Sequence, residues 1–184
     1  MSTTTLTELT TYDDYRHLPD DGKQHQIIGG ELYMTPAPTP YHQEISLNLA
    51  SILNSYVKQH KAGSVYTAPI DVVLSMTDVV QPDLVFVAQK RLNIITKRNI
   101  VDAPDLVVEI LSESTETIDR QEKMVLYEKH GVKEYWIVDP SEKAIEQNVL
   151  KENTFQLMAT ISGNQTLNSL VIEKFTFTAD DVFG

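Results

Sequence analysis

Three ionisable residues of this sequence stand among apolar residues: Asp83 in QPDLVFV, Glu109 in PDLVVEIL and Lys123 in DRQEKMVLY. The neighbours of Glu109 are typical of a strand covered on both faces, where a lone carboxylate is costly or takes up a proton. Asp83 starts another strand of the same predicted sheet, so the two acids can approach each other on one face. A magnesium or manganese ion between them would keep both ionised. Alternatively, Asp83 caps a turn behind Pro82 and Glu109 pairs with a lysine or an arginine.

Lys123 brings a positive charge to the same region. On the helix predicted over 116–130 it falls between Leu126 and Tyr127, so its stem can follow apolar surface and carry the ammonium to the sheet. The alternative is an exposed pair with Asp119, four residues earlier, which contributes only about a few tenths of a kcal/mol. Tyr127, Tyr135 and Trp136 are interpreted as core and sheet packing.

The elements that must position these residues follow from periodicity and from turn signals. The pattern predicts a short helix near 11–17, two strands around a Gly-Gly turn in 26–34, a helix over 40–60, strands over 65–74, 80–88 and 106–111, a helix over 116–130 and a strand over 134–138. Strands 65–74 and 80–88 should be antiparallel, and 134–138 should lie parallel to 106–111 after its helical crossover. A hairpin over 144–160 and a strand near 170–177 should extend the sheet.

These elements predict an α/β fold with a mixed sheet and the core order αβββαβ, with additional β-hairpins. Nothing in the 184 residues marks a linker or a repeat, so we expect one domain over 1–184. Its core spans about 41–140, with an N-terminal helix and hairpin at 11–34 and a C-terminal β extension at 141–184.

Composition excludes several classes of protein. With 41% hydrophobic and 22% charged residues the chain is typical of a globular protein, and the lack of cysteine excludes disulfides and thiolate sites. The sequence shows no membrane span and no signal peptide, which predicts a cytoplasmic protein. The net charge of -11 argues against non-specific coating of nucleic acid. Positive charge gathers only at 90–99, which is either a solvated loop or a phosphate contact.

The block from Pro104 to Pro140, PDLVVEILSEST...DRQEKMVLYEKHGVKEYWIVDP, closely resembles a large family of restriction-endonuclease-like bacterial proteins. That family is a branch of the PD-(D/E)XK nuclease superfamily, and the resemblance extends from about residue 11 through GGELYMTPAPTPYHQEIS and QPDLVFV to residue 183. It implies the same αβββαβ order, with Asp83 and Glu109 as the metal-binding acids. Leu111 occupies the position of the usual lysine, and the resemblance implies that Lys123, on the following helix, replaces it.

The resemblance also singles out three accessory residues. Gln26 stands in HQIIGGEL where the family commonly has an acid, so it can orient water or offer a carbonyl ligand but brings no charge. Glu31 matches the family's second acid and is either a substitute ligand or an exposed residue after the turn. His42 matches a typical histidine that orients an acid, contacts a phosphate or fills the core.

Two functions from different classes follow. The first is a magnesium-dependent or manganese-dependent endonuclease acting on nucleic acid, with DNA the expected substrate. Asp83 and Glu109 would bind the ion and Lys123 would orient the attacking water. The second is a catalytically silent nuclease-fold module that binds a protein or a nucleic acid. Self-association through the hairpin at 144–160, giving a homodimer, is compatible with either.

Overall fold

A computed structural model describes residues 10–18 and 24–184. Its strands are β1 (Gln24–Ile28), β2 (Glu31–Thr35), β3 (Gly63–Thr67), β4 (Val72–Ser75), β5 (Asp78–Val80), β6 (Leu84–Ala88), β7 (Ile100–Val101), β8 (Leu106–Ile110), β9 (Glu134–Asp139), β10 (Ala144–Lys151), β11 (Thr154–Ser162), β12 (Thr166–Asn168) and β13 (Thr176–Thr178). Its α-helices are α1 (Tyr12–Tyr15), α2 (Pro40–His60), α3 (Lys123–His130) and α4 (Asp180–Phe183). A 3-10 helix spans Gln89–Ile94, and a π-helical turn at Ile118–Glu122 leads into α3.

The largest sheet carries the candidate site and has the strand order β11-β10-β9-β8-β6-β3. Strand β9 is parallel to β8 and all other pairs are antiparallel, which confirms the predicted mixed sheet and the α/β fold class. Helix α2 packs on one face through Ile45, Leu49, Leu53 and Val57. Helix α3 packs on the other face, so side chains that alternate along β6 and β8 point towards one helix or the other.

Helix α2 has the ends that its sequence predicts. Thr39 caps it, with its hydroxyl oxygen accepting the N–H of His42 at 3.2 Å, and Pro40 fills the first turn, where no donor is needed. Helix α3 also ends as predicted, because Gly131 adopts a positive φ of 78°. In the described residues, no helix combines the length and the apolar character needed to cross a membrane.

The prediction of two continuous strands, over 65–74 and 80–88, is wrong for the end of the first strand and the beginning of the second. Their outer halves, β3 and β6, pair as predicted, but β4 and β5 form a hairpin in a second sheet of order β2-β1-β5-β4-β7. Pro69 and Pro82 lie at the two breaks, and proline cannot donate a hydrogen bond to a sheet ladder. The chain therefore leaves the large sheet before Pro69 and rejoins it at Leu84, just after Asp83.

The C-terminal prediction is correct for the hairpin and wrong for the last strand. Strands β10 and β11 extend the large sheet beside β9, but β12 and β13 form a small sheet of their own. The buried carboxylate of Glu134 holds this segment: its Oε2 accepts the N–H groups of Leu170 at 2.9 Å and Val171 at 3.1 Å. A side chain thus satisfies these backbone N–H groups, which then need no partner in the sheet.

Candidate active site

Asp83 immediately precedes β6, which begins at Leu84. Its Oδ2 accepts the backbone N–H of Ile110 on the neighbouring strand at 2.7 Å. The same oxygen lies 3.3 Å from Nε2 of His42, in the first turn of α2. Asp83 therefore bonds to a strand and to a helix and does not cap a turn behind Pro82.

Glu109 lies on β8, and its side chain is only 4% exposed. Alternation along the strand sends Val108 and Ile110 towards α2, and Val107 and Leu111 towards α3, so Glu109 shares a face with Asp83. The Oε1 atom of Glu109 accepts a hydrogen bond from the Tyr127 hydroxyl at 2.6 Å. It also lies 2.9 Å from Nζ of Lys123.

Lys123 makes both of the contacts that the sequence offered as alternatives, one with the sheet and one with Asp119. Its Nζ lies 2.9 Å from Glu109 and also 2.9 Å from Oδ1 of Asp119, four residues earlier. The pair with Asp119 is buried, because the π-helical turn places both residues against the sheet. Tyr135 donates to the backbone oxygen of Asp119 at 3.0 Å, which ties this turn to β9.

The electrostatics of this cluster follow from burial and from an excess of carboxylates. Burial raises the pKa of Glu109 to about 8, assisted by the charges of Asp119 and Asp83 and opposed by Lys123. Burial acts to lower the pKa of Lys123, but Glu109 and Asp119 outweigh it and raise that pKa. Burial and the charge of Glu109 raise the pKa of Tyr127, so its hydroxyl keeps the proton that it donates.

His42 responds to the same excess of negative charge. Burial lowers its pKa, but the hydrogen bond and the charge of Asp83 more than offset burial, and the pKa is raised. Protonated His42 would bring a second positive charge to the acids. His42 therefore contacts an acid and does not merely fill the core.

These residues line a cleft of about 840 Å³ between the large sheet and the segments at 36–43 and 111–119. In the chain as described, Oδ1 of Asp83 and Oε2 of Glu109 have no hydrogen-bond or ion-pair partner. Two unengaged carboxylate oxygens suit a hard cation that keeps several of its waters, as magnesium does. No group of three or more His, Cys, Asp or Glu side chains gathers closely enough to hold an ion within residues 10–18 and 24–184.

The accessory residues lie in different places. Gln26 lines the cleft, and its Oε1 accepts the N–H of Gln81 at 3.4 Å. Glu31 is exposed, accepts a hydrogen bond from the Tyr33 hydroxyl at 3.2 Å and is not among the residues that line the cleft. The structure therefore brings Gln26 and His42 to Asp83 and Glu109, but not Glu31.

Sequence reasoning missed two residues of the cluster. Asp119 was considered only as half of an exposed pair, and Tyr127 only as packing, although it also holds Glu109. The spacing of Asp119 to Lys123 was visible, and the apolar residues after Lys123 indicate that this face is buried. No signal of this kind marks the hydroxyl of Tyr127, because a buried tyrosine is equally common in a core without an acid.

Comparisons with known proteins agree with this architecture. A solved protein from Anabaena variabilis ATCC 29413, described as "a putative nuclease belonging to DUF820", matches with a TM-score of 0.79 and 20% identity, covering 94% of this chain and 97% of that one. At this identity the likeness shows the fold alone. Comparison with curated proteins gives no match. A family model described as "Uma2: Putative restriction endonuclease" matches residues 12–180, and the chain belongs to this family.

Proposed function

We propose that this protein is a metal-dependent endonuclease that hydrolyses phosphodiester bonds in DNA. The observation that supports it best is the meeting of Asp83, Glu109 and Lys123 in one cleft, with one oxygen of each acid unengaged. The family description and the nuclease-like relative agree with this function. The acids come from adjacent strands and the lysine from a helix, so the fold fixes their relative positions.

Asp83 and Glu109 would hold a magnesium or manganese ion through Oδ1 and Oε2. When bound, such an ion polarises a phosphoryl oxygen and lowers the pKa of its water. The N–H of Ile110 and the hydroxyl of Tyr127 each fix one oxygen of an acid and so orient the other towards the cleft.

Lys123 supplies the remaining positive charge. Its ammonium would orient the attacking water and balance the negative charge that develops on the phosphate in the transition state. Asp119 also lies 2.9 Å from the ammonium, so Lys123 would keep a partner if Glu109 binds the ion. His42 would steady Asp83 and, when protonated, favour the approach of the phosphate.

Conservative variants test this proposal. Asp83→Asn and Glu109→Gln should abolish magnesium-dependent nicking of supercoiled plasmid, because each removes an anionic ligand but keeps the shape of the side chain. Glu142→Gln, at an exposed position outside the cleft, makes the same change of charge and should cleave normally. Circular dichroism should show all three folded. Full cleavage by the two site variants would contradict the proposal.

One observation favours a second candidate, a silent module that binds a partner without catalysis. Gln26 brings an amide to the cleft, and the described residues gather no third ligand around Asp83 and Glu109. This candidate predicts no magnesium binding by calorimetric titration near neutral pH. Binding that is lost in Glu109→Gln would exclude it.

Location and assembly are further parts of the proposal. The lack of cysteine fits a reducing compartment, so we propose a cytoplasmic location. A homodimer through the hairpin of β10 and β11 stays a prediction. Light scattering over a range of protein concentrations tests it, since a constant monomer mass would exclude a dimer.

A further inference from the structure

A second cavity, of about 340 Å³, lies next to the candidate active site. Gln81 lines both cavities: its backbone N–H contacts Gln26 in the cleft, and its Nε2 donates to Asp71 in the second cavity at 2.8 Å. Gln81 and Asp83 are two residues apart, so their Cα atoms are at most about 7 Å apart. Stacked bases rise by about 3.4 Å each, so this upper limit corresponds to about two bases along a strand.

The second cavity holds part of the basic run at 90–99. Arg91 is committed elsewhere, to Asp102 at 3.2 Å and Asp105 at 3.3 Å. Arg98 is exposed, lines the cavity and, among the described residues, forms no ion pair. The next residue, Asn99, donates to the Tyr12 hydroxyl at 2.7 Å and so fixes the loop beside the cavity.

Planar groups form one wall of this cavity. The guanidinium carbon of Arg16 lies 5.4 Å from the ring centroid of Tyr12, and the rings of Tyr12 and Tyr15 stack at 6.1 Å. The Arg16 guanidinium also pairs with Asp13, and planar guanidinium and aromatic groups of this kind offer faces on which a base can stack. This wall and Arg98 together present aromatic and cationic groups in a chain whose net charge is -11.

Asp71 supplies an acceptor in the same cavity. Its Oδ1 accepts hydrogen bonds from Tyr15 and from Gln81, each at 2.8 Å. Its Oδ2 has no hydrogen-bond or ion-pair partner in the described residues. A carboxylate oxygen accepts from the exocyclic amino group of cytosine, adenine or guanine, a group that thymine lacks.

We propose that the second cavity binds one nucleotide of a single-stranded DNA substrate, about two bases from the scissile phosphate. Its amino-bearing base contacts Asp71 and stacks on Arg16, and its phosphate pairs with Arg98. The proposal rests on the proposed function for the position of the scissile phosphate. The binding itself needs no cleavage.

Fluorescence anisotropy with labelled hexamers of deoxycytidine and deoxythymidine, in calcium buffer, tests this subsite. The wild type should bind the deoxycytidine hexamer at least about fivefold more tightly. Arg98→Gln should weaken the binding of both hexamers by about fivefold or more. It should also reduce the slope of the logarithm of the binding constant against the logarithm of the salt concentration by about one. Lys97→Gln, an equal change of charge on the same loop but outside the cavity, should stay within twofold.

Asp71→Asn replaces one acceptor oxygen by a donor and should remove the preference for deoxycytidine. Thermal melting checks that each variant is folded. Equal effects of Arg98→Gln and Lys97→Gln, or no preference between the hexamers, would overturn the subsite. Binding that depends on Arg98 without cleavage in magnesium would overturn the proposed function and keep the subsite. Failure of both binding and cleavage would overturn both.

Discussion

Raising the pH from 6 to 8 should strengthen magnesium binding at the cleft by about fiftyfold. Burial raises the pKa of Glu109 to about 8, so at lower pH a proton occupies the carboxylate that the ion needs. With that pKa, the carboxylate is ionised in roughly 1% of molecules at pH 6, 9% at pH 7 and 50% at pH 8. Affinity therefore rises about ninefold over the first pH unit and about fivefold over the second.

The measurement is calorimetric titration with magnesium chloride at pH 6, 7 and 8. At pH 7 the binding of each ion should release about 0.9 proton, which two buffers of different ionisation enthalpy reveal. Glu109→Gln should abolish this release. Tyr127→Phe, which removes a hydrogen bond to the carboxylate, should shift the profile to higher pH.

Burial lowers the pKa of His42, but the hydrogen bond and the charge of Asp83 outweigh it and raise that pKa, so His42 also contributes to the pH profile. His42→Gln should therefore keep the part of the profile that belongs to Glu109. Lys123, which faces Glu109 from α3, stays protonated between pH 6 and 8, because Glu109 and Asp119 raise its pKa against the effect of burial. Affinities at pH 6 and pH 8 that agree within twofold would refute the assignment of a buried, protonated Glu109.

Two predictions concern stability. Lys123→Met should lower the free energy of unfolding by about 3–5 kcal/mol at pH 9, because it leaves buried carboxylates without their cation. The loss should be smaller at pH 6, where a proton neutralises Glu109. Equal losses at both pH values, measured by unfolding in urea, would contradict this. Asp78 is buried, and although burial opposes it, bonds from Gly29, Lys129 and His130 lower its pKa to about 2. Asp78→Asn should therefore cost about 2 kcal/mol at pH 7, a loss that fades as the pH falls from about 4 to 2, and a constant loss in thermal melts would contradict it.

The sequence carried most of the information on how the acids are placed. An acid within an apolar run must be buried, and the period of two along a strand then decides which face it shares. The sequence indicates that Asp83 and Glu109 can approach each other because their strands share a sheet, and both acids line the same cleft. The period of the helix offered Lys123 a place beside the sheet, with an exposed pair to Asp119 as the alternative.

Other features depend on contacts between distant segments, which periodicity does not describe. The split of the strands at Pro69 and Pro82 creates a second sheet, and its strand β5 has no signal of its own beyond three apolar or turn residues. The burial of Asp119 depends on how the π-helical turn packs on β9 through Tyr135. Arg91 pairs with Asp105, whereas Arg98 forms no ion pair among the described residues. Sequence alone could not show this difference, because both arginines lie in the same basic run.

The lysine on the helix comes with a third carboxylate, that of Asp119. Leu111 lines the cleft and packs in the apolar cluster under α3, and it brings no charge to the acids. Lys123 reaches Glu109 from the helix and brings Asp119 with it. When Asp83, Glu109 and Asp119 are all ionised and His42 is neutral, Lys123 leaves two negative charges unbalanced, which one divalent ion would balance. In the proposed function, the ion would take the place of the proton that burial favours on Glu109.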